Sequence, residues 1–371
     1  MNTFAKTQNK TKFLRMNIEK INSTRFTPDV FNITTFGTAF SDHMLLAYYK
    51  DGKWGEPSIK PYGKLEFTPA MSVAHYGQGI FEGMKAYKNE KGEVYLFRPE
   101  KNLERFNKSA VRLNMPEISE EIFLEGMKTL IDLDRRWVPS DYGMSLYIRP
   151  VMFAIEEAIT ARSSNEYLFV ILTAVAPNYY NKPLSVKIAD RYSRAANGGV
   201  GFVKAAGNYA GSFYPTQLAR EEGYDQVIWT DDATHTWIEE AGTMNVFIRI
   251  NDTLITAPTS ERILNGVTRD SIIQLAKDSG IEVDIRQISV EEVYKAHKNG
   301  ELKEVFGVGT AVVVNNYVAV GYGDEKLELE DLSETESYGK SLKKKLVDLQ
   351  KGLNPDPYNW RVMVEENLVE V

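Results

Sequence analysis

Cysteine is absent from all 371 positions. That removes disulfides, thiolate metal ligands and a thiol nucleophile from consideration, and it fits a reducing, cytoplasmic location. No metal site is expected. No stretch approaches the roughly 18 apolar residues of a membrane-spanning helix, so no membrane partner is expected. Runs of Lys and Arg long enough to track a phosphate backbone are missing, and the net charge is −7, which argues against nucleic acid as a partner. Internal repeats and low-complexity blocks are lacking too. The first twenty residues carry Lys6, Lys10, Lys12, Arg15 and Lys20, with Glu19 as the first acid, and have no apolar centre of a secretory signal. Residues 1–30 therefore read as a disordered extension without a catalytic role, and Met16 is an alternative start.

What is present is an ordinary globular composition, 43% hydrophobic and 26% charged, in a chain long enough for two domains. Leu45–Tyr49 reads as a strand entering an Asp51-Gly52 hairpin turn. Gly83–Lys88 and Glu93–Phe97 flank a second turn. Pro99 opens a helix with Leu103, Phe106, Ala110 and Leu113 at helical spacing. Another helix starts near Ser119, with Phe123, Met127, Leu130 and Ile131 as its apolar stripe. Ser145–Phe153 and Tyr167–Val175 read as strands, the latter apolar enough to be buried on both faces. The two prolines Pro177 and Pro183 mark a linker over 177–184. Beyond it, strands are expected at Leu184–Ile188, Gln226–Thr230, Asn245–Ile250 and Thr253–Thr256, and a helix between Gly266 and Gly280. The fold class is α+β: an extension (1–30), a smaller N-terminal domain (31–176), the linker, and a larger C-terminal domain (185–371).

Four clusters carry chemical potential. In Gly198–Ser212, Lys204 stands among glycines and small residues with no acid nearby in sequence. Desolvation there would lower its pKa and leave an amine able to attack a carbonyl. Glu239-Glu240-Ala241-Gly242-Thr243-Met244-Asn245 lies between two strands, where a sharp turn would aim a carboxylate into a cleft and keep a pyridine nitrogen protonated. Asn265–Asp270 opens a helix, whose free N–H groups and dipole suit a phosphate. Gly307–Ala311 follows an apolar stretch and can present amides to a carboxylate. Taken singly, each has a plain alternative: a solvated lysine, exposed acids at a strand end, an ordinary helix start.

In this order, and with Ser41-Asp42-His43-Met44, Phe81-Glu82-Gly83-Met84-Lys85-Ala86, Leu96-Phe97-Arg98-Pro99 and Leu146-Tyr147-Ile148-Arg149-Pro150, the clusters resemble the branched-chain amino-acid aminotransferases of the fold-type IV pyridoxal-phosphate enzymes. The resemblance spans roughly residues 30 to 365. It implies a D-amino-acid aminotransferase-like fold, with a smaller N-terminal α/β domain and a larger C-terminal domain of mixed sheets. It also implies pyridoxal 5'-phosphate as cofactor, bound to Lys204 as a Schiff base, and a homodimer in which a loop of one subunit closes over the other's site. By the same resemblance Glu240 partners the pyridine nitrogen and Tyr209 the ring hydroxyl. Arg105, Thr243, Val267, Thr268 and Thr310 complete the cofactor set, although Arg105 lies off the apolar stripe of its helix and reads as solvated from sequence alone. Phe36, Tyr76, Phe81 and Tyr147 match an aromatic wall for a branched side chain. Arg149 matches the partner for the distal carboxylate of glutamate, and the amides of Ala311 and Val312 match the seat of the α-carboxylate. Tyr147 and Arg149, two apart on a strand, share a face.

The chain departs from the family at Val312 and Asn315, where some members carry a redox-sensitive Cys-x-x-Cys, so thiol control is excluded. The loop Met152–Glu157 also diverges. The implied reaction is reversible amino transfer between L-leucine, L-isoleucine or L-valine and 2-oxoglutarate. D-Amino-acid aminotransferase and aminodeoxychorismate lyase are the nearest rivals within the fold, and a catalytically dead scaffold is the rival of another class. Retention of Lys204 and Glu240 counts against the scaffold.

Overall fold

The structure, a computed structural model, describes residues 15–177 and 184–368; most of the linker read from sequence lies outside the described residues. Two sheets organise the described residues. The first has ten strands, with Ser58–Pro61, His43–Lys50, Tyr167–Ala176, Ser145–Ala154, Met84–Lys88 and Val94–Phe97 running side by side. At its far edge Arg361–Val364 pairs antiparallel with Val94–Phe97, so the end of the chain returns to the sheet built by its beginning. The second has nine strands, centred on Leu184–Ile188, Val313–Tyr322, Leu302–Gly309 and Met244–Ile250. Both mix parallel and antiparallel pairs. Leu184–Ile188, for example, runs parallel to each of its neighbours, whereas Met244–Ile250 is antiparallel to Leu302–Gly309.

Local chemistry explains most element ends. Asp51 and Gly52 both take positive φ, as a two-residue hairpin turn requires, and the strands they join pair at Tyr49 and Trp54. Pro99 begins the helix Pro99–Arg112, where its missing N–H costs nothing. Gly280 has φ +73° just after the helix Val267–Asp278. The extension departs from the sequence reading: residues 15–30 are ordered. Asn17–Ile18 adds an edge strand beside Ser58–Ile59, and the buried Asp42 carboxylate accepts from the Thr24 hydroxyl and the Arg25 N–H. These partners lie far away in sequence, which is why composition alone made the segment look unstructured. Among the described residues no helix is long and apolar enough to cross a membrane.

The helix Pro99–Arg112 packs on the first sheet through Phe106, which meets Phe123 and Phe169 at 5.5 Å each. All three rings are fully buried. The neighbouring residue on that helix, Arg105, reaches toward the second sheet, so the aromatic cluster also fixes a charged group. Phe106→Ala is expected to lower the unfolding free energy by about 3–5 kcal/mol, measured by chemical denaturation. A loss under about 1 kcal/mol would mean the cluster does not anchor this helix.

Candidate active site

Lys204 sits where the two sheets meet. Its backbone is stitched to the first half on both sides: Phe81 N–H donates to the Lys204 carbonyl at 3.1 Å, and Lys204 N–H donates to Ser109 Oγ at 3.0 Å. The adjoining Ala205 bridges Ile80. The side chain is half-buried, with Nζ 2.9 Å from the Tyr209 hydroxyl and 5.1 Å from the centre of the Phe81 ring. Glycines around it leave room for the short helix Gly207–Ala210 that carries Tyr209. An amine and a phenol thus face one another beside an aromatic wall.

Glu240 lies on the strand Ile238–Ala241, which turns back at Gly242 (φ +56°) into Met244–Ile250. Only 4% exposed, its carboxylate is fully engaged. Oε1 accepts from Asn245 Nδ2 at 3.0 Å and from Leu264 N–H at 2.9 Å, and Oε2 pairs with Arg194 at 2.7 Å. Burial pushes the Glu240 carboxyl above its ordinary range, and Arg194, the Leu264 N–H and the Lys204 charge pull it back only in part. Glu240, Thr243 and Tyr209 line one cleft with Arg194, Asn245 and Leu264. Glu239, its sequence neighbour, points instead to Arg262; alternation along the strand separates the two acids.

The helix Val267–Asp278 starts at the edge of a second hollow of about 190 Å³, lined by Arg98, Lys101, Arg105, Lys108 and Val267 among others. The N–H groups of Val267, Thr268 and Arg269 have no acceptor within their own helix. Arg105 is buried, against the solvated position that the apolar stripe alone suggests. Its Nε and Nη2 grip the fully buried Glu82 carboxylate at 2.7 and 2.8 Å, and Nη1 donates to Asn265 O at 2.9 Å. Burial alone would raise the Glu82 carboxyl, but Arg105, then Lys204 and Asn102, hold it below its usual range.

On the other flank, Tyr147 and Arg149 do share a face: Arg149 Nη2 donates to the Tyr147 hydroxyl at 2.9 Å, and its guanidinium lies 4.4 Å from the Phe81 ring centre. Phe36 meets Tyr147 edge-on at 4.8 Å. A side chain at Gly83 would collide with the Tyr147 hydroxyl, so glycine is required there. Arg149 Nε is buried with no hydrogen-bond partner among the described residues. Tyr76 stands apart from this group, 43% exposed on the short helix Ser72–Tyr76, with its hydroxyl on Ile159 O. Thr310, Ala311 and Val312 form the loop between Gly309 and Val313, which pair across it. Ala311 and Val312 border a third cavity with Lys85 and Lys343. Sequence reasoning missed Arg194, a partner of Glu240 that falls ten residues before Lys204 with no spacing signal to mark it. Asn245 is included in the Glu240 cluster of the sequence, but without a role as its partner.

The chain is similar to known proteins over most of its length. The family described as amino-transferase class IV matches residues 79–315. A probable branched-chain-amino-acid aminotransferase of Staphylococcus epidermidis is 43% identical over 355 residues, covering 94% of this chain and 98% of its own. Branched-chain-amino-acid transaminase 1 of Bacillus subtilis is 43% identical over 343 residues, covering 89% and 94%. The crystal structure of a branched-chain amino acid aminotransferase from Thermobaculum terrenum, in its PLP form, has the same fold. Its TM-score is 0.70 at 21% identity, covering 86% of this chain and 98% of that one.

The turn that leads into the Glu240 strand is held by Asp231, whose carboxylate accepts from the N–H groups of Thr234, Thr236 and Trp237. Burial alone would raise this group, but those donors bring it down from its ordinary 3.8 to about 2. A carboxyl with a depressed folded value stabilises above its unfolded pKa and loses that contribution as pH falls through the folded one. Asp231→Asn is therefore expected to cost about 2 kcal/mol at pH 7. In urea denaturation the gap from wild type should close between about pH 4 and pH 2; a gap independent of pH would refute the assignment.

Proposed function

The chain belongs to the amino-transferase class IV family, as a branched-chain aminotransferase, and we propose that it moves an amino group reversibly between L-leucine, L-isoleucine or L-valine and 2-oxoglutarate with pyridoxal 5'-phosphate held on Lys204. The observation that supports this reading is one amine, Lys204, 2.9 Å from the Tyr209 hydroxyl and near enough to the buried Glu240 for its charge to act on that carboxylate. The cofactor has an aldehyde, a ring hydroxyl, a basic ring nitrogen and a phosphate, and the residues present fit each of them. Lys204 and Tyr209 suit the first two, Glu240 the third. The amides of Val267 and Thr268, with Arg105, suit the phosphate end, and Thr243 and Thr310 complete the cofactor set.

When bound, the cofactor supplies a carbonyl that condenses with amines and a cationic ring that draws electrons from the substrate Cα. The rest of the work falls to the protein. Lys204 Nζ, when free, would act as the base that takes the proton from the substrate Cα and as the acid that returns it at the carbon derived from the cofactor's aldehyde. Glu240, buried and flanked by Arg194 and Asn245, keeps the ring nitrogen protonated. Tyr209, 2.9 Å from Nζ, orients the lysine.

Two kinds of side chain must enter one pocket. Phe36, Phe81 and Tyr147 offer apolar surface to a branched aliphatic chain. The Arg149 guanidinium, beside Tyr147 and Phe81, offers its charge to the distal carboxylate of glutamate. The amides of Ala311 and Val312 receive the α-carboxylate that every substrate shares. We place the working enzyme in the cytoplasm as a homodimer, with a loop of the partner beside each site. The two sheets are read as a smaller N-terminal and a larger C-terminal domain, joined over 177–184.

Lys204→Ala is expected to abolish turnover of L-leucine, and a peptide map after borohydride trapping should find the cofactor on residue 204. Transamination by that variant without added amine, or label on another lysine, would remove the assignment. Arg149→Gln is expected to lower kcat/KM for glutamate by about 10- to 100-fold and for leucine by under about threefold, because only glutamate brings a second carboxylate. Equal losses would mean that Arg149 does not read the distal charge.

A further inference from the structure

Lys85 has no task in the reading above. It lies on the strand Met84–Lys88, opposite Tyr147, and is only 6% exposed. No carboxylate among the described residues pairs with it. The charge that acts on it is a like one, that of Lys343, which borders the same cavity of about 360 Å³. Burial, and then Lys343, bring its ammonium down to about 7. A buried lysine without a counter-ion weakens the fold, so its single strong contact is informative. Nζ donates to the carbonyl oxygen of Ala311 at 2.8 Å, joining the first sheet to a loop 226 residues away.

That loop is under strain. Thr310, Ala311 and Val312 connect the paired residues Gly309 and Val313. Val313 has φ +63°, the left-handed region that β-branched residues rarely enter and that loops of this length usually fill with glycine or asparagine. The loop needs support from outside to keep this shape. In a trans peptide the carbonyl of one residue and the N–H of the next point in opposite directions. With the Ala311 carbonyl held by Lys85, the Val312 N–H is turned away from Lys85. A hydrogen bond to the carbonyl also polarises the peptide and strengthens its N–H as a donor.

We infer that Lys85 is a positioning residue, which clamps the Ala311–Val312 peptide so that its N–H is presented to the substrate α-carboxylate, and thereby sets affinity for that group without touching it. The inference rests on the proposal that the Ala311 and Val312 amides receive the α-carboxylate.

The test compares wild type with Lys85→Met, which keeps an unbranched side chain of similar length and removes the donor, and Lys85→Arg, which restores one. In Lys85→Met the KM for L-leucine and 2-oxoglutarate, and the Kd of the inert acid 4-methylpentanoate read from the cofactor absorption band, should each rise about tenfold. Over the same comparison kcat and cofactor affinity should change by less than about twofold, and Lys85→Arg should stay within about threefold of wild type on all measures. Unchanged KM and Kd in Lys85→Met, or a parallel fall in kcat and cofactor affinity, would overturn the inference, the second because it marks a general loss of structure. A wild-type enzyme with no cofactor band or no activity on L-leucine would remove the functional reading itself, and this inference with it, before any variant is made.

Discussion

The buried pair of Glu82 and Arg105 is the constraint from which the site's geometry follows. Glu82 has no exposure at all, and it is held ionised by a two-pronged grip from Arg105 and a further bond from Asn102. Removing one partner of such a pair leaves a bare charge in the interior, at a cost of about 3–5 kcal/mol. The third arm of Arg105 reaches Asn265, just before the helix Val267–Asp278, so the pair ties the two halves of the chain at the edge of the hollow. Glu82 follows Phe81, whose N–H holds the Lys204 carbonyl. One ion pair thus sets the spacing between the amine and the helix start.

Charges around Lys204 are arranged by sign and by depth. Glu240 lies deep, with both oxygens spent on Arg194, Asn245 and Leu264. Arg149 lies on the opposite flank, with one nitrogen on Tyr147 and another unpaired. In a low-dielectric cleft an unmatched guanidinium is costly, and the stacking of Arg149 on Phe81 softens that cost without supplying an acceptor. An apolar wall that also bears a cation can receive an aliphatic chain and an acidic one in turn, which is the demand a two-substrate amino transfer makes on a single pocket.

Much of the fold is legible in the chain itself because the signals are local. The Asp51-Gly52 turn, Pro99 at a helix start, Gly280 at a helix end and the apolar run from Tyr167 each act through φ preference or side-chain period within a few residues. The Lys204 and Glu240 clusters stand out for the same reason: glycines beside a lone lysine, acids beside a turn. Arg105, Arg194 and residues 15–30 are different. Arg105 sits off its helix's apolar stripe yet is buried, because Glu82, 23 residues earlier, is waiting for it. The extension looks polar, yet Asp42 and the edge at Ser58–Ile59 capture it.

The sequence by itself determined the repertoire: a cysteine-free α+β chain, a lysine and a carboxylate in turn-rich settings, a helix start suited to a phosphate, and an aromatic and an arginine on one strand face. Tertiary structure alone decided which of these meet. It brought Phe81 and Ser109 to the backbone of Lys204, Arg194 to Glu240, and Lys85 to the Ala311 carbonyl. It sent the final strand back to the first sheet and left Tyr76 largely in solvent. The division has a physical cause. Backbone preference and periodicity are properties of neighbouring residues, whereas desolvation and the pairing of buried charges depend on what lies across space, and no local pattern encodes that.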